Sequence, residues 1–365
     1  MPSQRIVIAA GGTGGHFYPG LALARALRER GWQVLFVLRR DESAARTLEA
    51  ENIPSVEIEL SGLPRKPSKL WLSLPFRLLS AMLLLRRVLR DFRPSVVLGM
   101  GGYLTVPLVL AAAVAGVPRA VHESNAVLGL ANRLASLLGA RLLWGLVARG
   151  GAGHLTGTPI RSSLWKSAAT DRARTALSLE PELPTLLVFG GSQGARALNL
   201  KVPAALRQAA KGRSFQVLHL TGRSDPEPTR RAYSGASFPA QVRSYLEEMY
   251  LAYGAADLVL CRAGASTLAE LAAQMKPAVL VPYPYATGNH QQANARVLES
   301  VGAATVLPEG ELPGRLPVLI RDLLAGAQAG ARRTAMARSY ARLGLPSAEL
   351  TVSTMIQALE VLANP

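Results

Sequence analysis

Short apolar runs recur along the chain, and most of them end in a turn rich in glycine. The runs do not alternate apolar with polar residues, which is typical of parallel strands covered on both faces. They predict strands at residues 6–10, 33–38, 96–98, 120–122, 185–189, 217–220, 258–261 and 278–281. Helical segments follow several strands, the first from about Gly20 to Arg30. Such alternation builds a doubly wound α/β sheet.

The pattern of strand, turn and helix restarts near residue 185, after a first series that begins close to the N-terminus. The chain has 365 residues, a length that suits two domains. We therefore predict two Rossmann-like lobes facing a cleft, over residues 1–160 and 161–346. An amphipathic helix is predicted near the C-terminus, at about 347–363, and we expect it to pack back on the first lobe.

One uncharged stretch, residues 96–118, is long enough to cross a bilayer. Because Gly101, Gly102 and Pro107 interrupt it, a buried strand followed by a buried helix is the preferred interpretation. Residues 1–20 lack the pattern of a signal peptide. The single cysteine, Cys261, excludes an intramolecular disulfide and a cysteine-cluster metal site, and favours a reducing cytoplasm.

The formal net charge of +17 favours polyanionic partners, which include nucleic acid, anionic lipid and phosphorylated substrates. A basic, amphipathic stretch at residues 66–93 suits an anionic membrane surface. The side chains expected to contact the membrane are Lys69, Trp71, Leu74, Arg77 and Leu78. The alternative is a core helix with a solvated basic edge. A nucleic-acid-binding protein is a further alternative, which the lack of interleaved basic and aromatic motifs disfavours.

Three glycine-rich turns follow predicted strands, at residues 11–16, 190–195 and 262–267. Backbone N–H groups in such turns approach an anion closely, and the start of the next helix adds partial positive charge. Neither 11–16 nor 190–195 matches the dinucleotide pattern G-x-G-x-x-G, and no P-loop motif is present. A phosphate ligand other than a dinucleotide is therefore predicted, although one such turn alone is equally explained by tight packing.

Polar side chains near these turns suggest the chemistry. His16 follows the first turn, where a neutral imidazole can act as a general base, or can simply hydrogen-bond its own loop. Glu270 follows the third turn and can accept hydrogen bonds from a ribose diol, or can be a solvated helix residue. Gln291 and Gln292 suit sugar hydroxyls, or an ordinary polar surface.

Two further candidates lie at other turns. Arg161 follows a proline at the predicted hinge between the lobes, where a plain surface arginine is equally plausible. Tyr103 follows the glycine pair at residues 101–102, where an aromatic side chain can also serve packing alone.

Seven segments resemble the motifs of the bacterial MurG family, in family order and over nearly the whole chain. They are GGTGGHFYPGLALA (11–24), LGMGGYLTVP (98–107), HESNAVLGLANR (122–133), TGTPIR (156–161), FGGSQGARALN (189–199), DLVLCRAGASTLAEL (257–271) and PYPYATGNHQQANA (282–295). The resemblance implies a GT-B fold and an inverting transferase. Its members move N-acetylglucosamine from UDP-N-acetylglucosamine to undecaprenyl-pyrophosphoryl-N-acetylmuramoyl-pentapeptide, in peptidoglycan synthesis.

The resemblance also assigns roles to residues. His16 is implied as the general base, and Gly101, Gly102 and Tyr103 as contacts to the acceptor pyrophosphate. The implied donor contacts are Thr13, Gly14, Gly15, Asn125, Arg161, Ser192, Leu246, Ala265, Ser266, Thr267, Leu268, Glu270, Gln291 and Gln292. Ser124 departs from the family, in which glutamine is frequent. The short segment after Arg141 also departs and weakens any assignment of acceptor contacts there.

The same resemblance implies the cofactors, partners and location. It implies no tightly bound cofactor, and the fold does not require a divalent cation. The expected partners are a UDP-sugar donor, a lipid-linked acceptor, an anionic membrane surface and proteins of cell-wall synthesis or division, but no nucleic acid. The expected location is the cytoplasmic side of the bacterial inner membrane, as a peripheral protein. The alternatives of similar architecture are a diacylglycerol glycosyltransferase and a UDP-N-acetylglucosamine 2-epimerase.

Overall fold

The chain forms two compact units in the computed structural model, which describes residues 4–11, 14–40, 42–60, 70–146, 153–210 and 214–364, without the side chains of residues 42, 43 and 70–75. The first unit consists of Met1–Ser162 and Leu345–Pro365, and the second of Ser163–Gly344. The predicted domain limits at residues 160 and 346 lie within two residues of this division.

The first unit contains a parallel sheet with the strand order β3-β2-β1-β4-β5-β6-β7. Its elements are β1 (Arg5–Ala9), α1 (Gly14–Glu29), β2 (Gln33–Arg39), α2 (Glu42–Ala50), β3 (Ser55–Ile58), α3 (Leu70–Phe92), β4 (Val96–Gly99), α4 (Thr105–Val114), β5 (Arg119–Glu123), α5 (Leu130–Leu137), β6 (Arg141–Trp144) and β7 (His154–Leu155).

The second unit contains a parallel sheet with the order β10-β9-β8-β11-β12-β13. Its elements are α6 (Thr170–Ala176), β8 (Thr185–Phe189), α7 (Arg196–Ala209), β9 (Gln216–Leu220), α8 (Glu227–Tyr233), β10 (Ala240–Arg243), α9 (Met249–Ala255), β11 (Leu258–Cys261), α10 (Ala265–Ala273), β12 (Ala278–Leu280), α11 (His290–Val301), β13 (Ala304–Val306), α12 (Leu312–Ile320) and α13 (Ala329–Ser339). A π-helical turn, Arg321–Ala325, separates the last two helices.

The C-terminal helix α14 (Ala348–Ala363) returns to the first unit, where it packs against α1 and β4. The side chain of Ser347 accepts a hydrogen bond from the backbone N–H of Leu350 and thereby caps the helix start. The guanidinium of Arg30, directly after α1, donates to the hydroxyl of Ser353 at 3.0 Å.

The central strands of both sheets are buried along nearly their whole length, which explains their uninterrupted apolar sequences. In each sheet the strand order reverses beside the first strand of the unit, between β1 and β4 and between β8 and β11. Ligands of doubly wound proteins bind at the carboxyl ends of the strands at this reversal point. The fold therefore directs attention to the turns that follow these four strands.

Two predictions about elements need correction. Helix α1 begins at Gly14 rather than near Gly20, because its glycines and Pro19 disfavour helix by local propensity and hide the first turn in the sequence. The strands β3, β6, β7, β10 and β13 were not predicted, since they are short, and β3 and β10 carry polar residues.

The uncharged stretch at residues 96–118 contains β4 and α4, as predicted, and the strand is wholly buried. Among the helices of the described residues, we find none with both the length and the apolar character that crossing a membrane requires.

A histidine in β9 of the second sheet is completely buried in its neutral form. The Nδ1 atom of His219 lies 3.0 Å from the hydroxyl of Tyr233, and its Nε2 atom lies 3.1 Å from Oδ1 of Asn199. Burial lowers the pKa of His219 to about 3, because the charged ring would lose its hydration.

This burial predicts acid sensitivity. An unfolded histidine has a pKa of about 6.5, so between that pH and about 3 the unfolded chain binds one more proton at this position than the folded chain. Stability should therefore fall as the pH drops below about 6.5, and His219 alone should contribute a slope that approaches ~1.4 kcal/mol per pH unit. Urea unfolding between pH 7 and pH 5 should show a slope in His219→Gln that is smaller than the wild-type slope by this contribution. The exposed His154→Gln should keep the wild-type slope; equal slopes in all three proteins would contradict the prediction.

Candidate functional site

His16 lies against the glycine turn that follows β4. A Cβ atom on Gly101 would lie 3.0 Å from Nε2 of His16, and one on Gly102 would lie 3.3 Å from its Nδ1. Both glycines have positive φ, +98° and +78°, a backbone conformation that glycine adopts without a steric cost. The structure thus brings together the predicted base and two of the predicted acceptor contacts at the reversal point of the first sheet.

The hydrogen bonding of His16 defines its tautomer. Nδ1 lies 3.3 Å from the carbonyl oxygen of Gly11, which can only accept a hydrogen bond. A neutral imidazole in this position carries its proton on Nδ1 and a lone pair on Nε2, the atom nearest Gly101. The ring therefore contacts its own loop, as one interpretation of the sequence proposed. The role of His16 as a general base stays a prediction.

The neighbouring predicted residues differ in their placement. Gly14 and Gly15 form the first two residues of α1, whereas Thr13 lies outside the described residues. Tyr103 packs against the core beside β4, as its packing interpretation proposed, and its hydroxyl is buried without a hydrogen-bond partner in the described part of the chain.

A buried carboxylate organises the loop after β5. Oε1 of Glu123 accepts hydrogen bonds from the backbone N–H and the side-chain amide of Asn125, at 3.0 and 2.9 Å. Oε2 accepts from the backbone N–H of Gly129 and the side chain of Asn132, both at 2.9 Å. Glu123 is only 4% exposed, so it fixes both the predicted donor contact Asn125 and the start of α5.

A histidine of β5, the strand before this loop, contacts the backbone near the end of the first unit. His122 is fully buried, and its Nε2 lies 3.1 Å from the carbonyl oxygen of Gly157, while Ser124 lies beside its Nδ1. Burial lowers the pKa of His122 to about 4. Arg161 is half-buried and belongs to the first unit. The predicted domain limit had assigned it to the second unit, and this assignment was wrong by two residues.

In the second unit, the turns after β8 and β9 are packed tightly together. A Cβ atom on Gly194 would lie 2.3 Å from the carbonyl oxygen of Thr221, and one on Gly222 would lie 2.3 Å from the N atom of Gly194. Ser192 is exposed at the tip of the first turn, and its carbonyl accepts from the N–H of Arg223. Three of the six residues of the turn are glycines and Ser192 presents a hydroxyl, a composition that suits a phosphate ligand.

Helix α10 starts at the other side of the reversal point. Its first turns hold the predicted donor contacts Ala265, Ser266, Thr267, Leu268 and Glu270. The hydroxyl of Ser266 is buried and has no partner within the described residues, whereas Leu268 is part of the core.

The remaining donor candidates of this unit differ in exposure. Glu270 is half-buried and accepts a hydrogen bond from Tyr253 at 2.8 Å, which excludes the interpretation of a freely solvated helix carboxylate. Leu246 is buried beyond the end of β10.

Arg262 joins two loops of the second unit. Its guanidinium donates to the carbonyl oxygens of Val281 and Pro282 and forms an ion pair with Glu309 at 2.5 Å. It also lies 5.4 Å from the ring centroid of Tyr283. This contact holds the segment that leads to α11.

The predicted sugar contacts lie in the first turn of α11. The side-chain oxygen of Gln291 accepts from the N–H of Tyr283 at 2.9 Å, and Gln292 is half-buried beside it. Gln291 is therefore fixed by the loop rather than being an ordinary polar surface residue.

Helix α3 carries the predicted membrane contacts, but its outer face differs from the prediction. Phe76, Leu79 and Leu83 are exposed by 75%, 51% and 53%. Leu78 instead packs partly against the core, and Arg77 is half-buried. Lys69 lies outside the described residues, and the helix includes Trp71 and Leu74, whose side chains are not described. Exposed basic residues, Arg86, Arg87 and Arg90, follow on the same helix.

A second row of exposed leucines was not predicted. Leu130, Leu134 and Leu137 of α5 are exposed by 67%, 42% and 79%, and their spacing places them on one side of the helix. Helix α4 packs against both α3 and α5, so the three helices form one layer on the first sheet.

Comparison with known proteins identifies the family. Residues 6–142 match the N-terminal domain of glycosyltransferase family 28, and residues 185–349 match its C-terminal domain. The UDP-N-acetylglucosamine–N-acetylmuramyl-(pentapeptide) pyrophosphoryl-undecaprenol N-acetylglucosamine transferase of Acidithiobacillus ferrooxidans is 42% identical, over 93% of this chain and 94% of the relative. The transferase of the same name from Halorhodospira halophila is 42% identical, over 98% and 99%. The chain belongs to the MurG family of glycosyltransferases.

Solved structures agree with this assignment. The crystal structure of MurG from Acinetobacter baumannii matches with a TM-score of 0.81 and 28% identity, over 99% of this chain and all of that one. The calicheamicin glycosyltransferase CalG4 matches with a TM-score of 0.69 at 17% identity, over the full length of both chains, which supports the fold alone. The prediction of a GT-B glycosyltransferase fold is confirmed.

Four residues that shape the sites of this MurG-family chain were missed in the sequence. They are Glu123, Asn132, Tyr253 and Arg262. Glu123 and Arg262 had a usable signal, because one ends a buried strand and the other directly follows one, where charge is costly without a partner. Asn132 and Tyr253 lie inside helices, and only the folded structure shows what they contact.

Replacement of Glu123 tests its role in the loop that holds Asn125. All four partners of the carboxylate are donors, so Glu123→Gln places an N–H₂ group against two of them. We expect the free energy of unfolding to fall by about 2–3 kcal/mol, measured in urea. The exposed Glu57→Gln should change it by less than ~0.5 kcal/mol. A stability of Glu123→Gln equal to that of the control would contradict the proposed organising role.

Proposed function

We propose that this glycosyltransferase moves N-acetylglucosamine from UDP-N-acetylglucosamine to an undecaprenyl-pyrophosphoryl-linked N-acetylmuramyl pentapeptide. The observation that carries the proposal is the clustering of motif residues at the reversal points of both sheets, in a chain whose full-length relatives bear this activity in their names. Each unit thus supplies one substrate-binding surface at the position where doubly wound folds bind ligands.

The second unit is the proposed donor site. The exposed hydroxyl of Ser192, the backbone of residues 191–194 and the start of α10 bind the UDP diphosphate, and Leu246 contacts the uracil. Glu270 accepts hydrogen bonds from the ribose, while Gln291 and Gln292 bind the hydroxyls of the transferred sugar. Backbone N–H groups and helix starts supply the positive potential for the leaving diphosphate. We accordingly propose that neither a tightly bound cofactor nor a divalent cation is required.

The first unit is the proposed acceptor site. Gly101 and Gly102 bind the acceptor pyrophosphate close to His16, and Asn125 is the donor contact proposed in this unit. The 4-hydroxyl of the muramoyl sugar attacks the anomeric carbon from the face opposite UDP and forms the new C–O bond. The bond to the diphosphate breaks, UDP leaves with the electron pair, and Nε2 of His16 takes the hydroxyl proton.

The assay follows UDP release from UDP-N-acetylglucosamine. It is run with and without an analogue of the acceptor, undecaprenyl-pyrophosphoryl-N-acetylmuramoyl-pentapeptide. We expect release only with the acceptor, because the transfer needs its hydroxyl. Conversion of the sugar nucleotide alone to its 2-epimer would instead identify an epimerase.

His16→Ala should lower kcat by about 10²–10⁴-fold, because the attacking hydroxyl loses its base. The thermal unfolding midpoint and the far-UV circular dichroism should stay near those of the wild type. His154→Ala, which removes an exposed histidine of the same unit, serves as the control and should retain wild-type kcat. A kcat of His16→Ala within a few fold of the control would remove His16 as the base.

We further propose that the layer of α3, α4 and α5 contacts an anionic membrane, at the cytoplasmic side of the bacterial inner membrane. The support is the exposed apolar row of α3 beside its basic residues, and the leucine row of α5 in the same layer. Apolar side chains that enter the interface, flanked by cations, are typical of peripheral membrane helices. Such a surface presents the acceptor site to a lipid-linked substrate.

The double variant Leu79→Ser with Leu83→Ser should bind phosphatidylglycerol vesicles at least about tenfold more weakly in sedimentation, since two apolar side chains no longer enter the interface. Activity on a water-soluble acceptor analogue should stay unchanged. Leu200→Ser with Val318→Ser removes similarly exposed apolar residues from the second unit and should bind vesicles like the wild type. Equal binding of the two double variants would reject this surface.

A further inference from the structure

Tyr253 is a fully buried tyrosine beside the proposed ribose-binding carboxylate. It lies in α9, and its side chain has no exposed surface. Its hydroxyl donates a hydrogen bond to Oε2 of Glu270 at 2.8 Å. The two residues belong to different helices of the second unit, so this bond fixes a side chain of α10 from a separate element.

The ring of Tyr253 also contacts the strand that precedes the proposed diphosphate turn. Phe189, the last residue of β8, packs edge to face against it, with ring centroids 6.1 Å apart and an interplanar angle of 85°. Tyr253 is therefore held by β8 while it binds Glu270 of α10. Its position connects the two strand-end segments that are proposed to bind the diphosphate and the ribose.

A rigid donor matters for a glutamate because rotation of its carboxylate about the last torsion is only weakly restricted. Two ribose hydroxyls can donate to one carboxylate only when its plane faces the diol. Burial raises the pKa of Tyr253 well above its usual value, and the charge of Glu270 raises it further. The phenol thus stays protonated, and remains a donor, at neutral pH.

We propose that Tyr253 is a positioning residue, whose hydroxyl orients the carboxylate of Glu270 toward the ribose diol and so makes the enzyme selective for ribonucleotide sugar donors. This inference rests on the proposed binding of the donor ribose by Glu270. It extends that proposal by assigning ribose selectivity to a residue that does not itself touch the substrate.

The test compares Tyr253→Phe with a matched control. Tyr340 is also buried, and its hydroxyl donates at the same distance of 2.8 Å, but to the carbonyl oxygen of Lys276. Tyr340→Phe therefore removes a buried hydrogen bond of the same length in which Glu270 is not the acceptor. The donors are UDP-N-acetylglucosamine and its 2′-deoxyribose analogue, and kcat and KM are measured for each by UDP release.

We expect Tyr253→Phe to raise the KM for the ribonucleotide donor about threefold to tenfold, the usual effect of one hydrogen bond. Its kcat should change little, and the KM for the deoxy donor should stay near wild type. The selectivity for ribose should therefore fall by the same factor. Tyr340→Phe should keep the wild-type selectivity, and a loss of thermal stability shared by the two variants does not affect this ratio.

A double-mutant cycle provides the second measurement. If Tyr253 acts through Glu270, adding Tyr253→Phe to Glu270→Gln should change the donor KM no further. Additive effects in the cycle, or an unchanged selectivity in Tyr253→Phe, would overturn the inference.

A different result is expected if Glu270 does not bind the donor ribose. In that case Glu270→Gln would leave the donor KM unchanged, and the wild type would use the ribose and deoxyribose donors equally. UDP release that depends on the acceptor would still support the transferase activity in that case.

Discussion

Close backbone approach at the strand ends excludes side chains there, and the proposed binding surfaces of both units depend on this crowding. In the second unit, a Cβ atom on Gly194 or on Gly222 would lie 2.3 Å from backbone of the neighbouring turn. In the first unit, His16 fills the space that a side chain on Gly101 would need. The same absence of Cβ atoms therefore serves both units. It lets backbone N–H groups approach an anion in the second unit, and it makes room for the imidazole of His16 in the first.

Buried charged groups hold these crowded turns in place. Glu123 accepts four hydrogen bonds beneath the loop of Asn125, and Arg262 spans two loops and pairs with Glu309. A buried charge is tolerated only when hydrogen bonds replace its hydration, so each of these groups specifies one arrangement of its neighbours. The loops therefore gain their geometry from polar contacts, while the parallel strands gain theirs from apolar burial.

This division explains what the sequence could predict. Apolar burial on both faces leaves uninterrupted apolar runs, so the central strands at 185–189 and 258–261 were predicted with their observed bounds. Glycine turns leave a compositional signal, and the motif residues were found through them. The bond from Tyr253 to Glu270 leaves no such signal, because its partners are 17 residues apart in the chain and meet only in the folded structure. The outer face of α3 was misjudged at Leu78 because a helix apolar on several sides does not reveal which side meets the sheet.

The net charge of the chain is compatible with either a membrane or a nucleic acid as partner. The positions of the exposed apolar residues help to choose between these two partners. The basic residues of α3 follow a row of exposed phenylalanine and leucine, rather than standing among polar side chains. Phosphate contacts in nucleic-acid complexes use cations with polar groups, and exposed aliphatic side chains gain nothing from them. A bilayer interface accepts both kinds of group at once, because the acyl region takes up the leucines while the anionic head groups attract the arginines. The arrangement on α3 therefore supports the proposed lipid surface rather than a nucleic acid as the partner of this face.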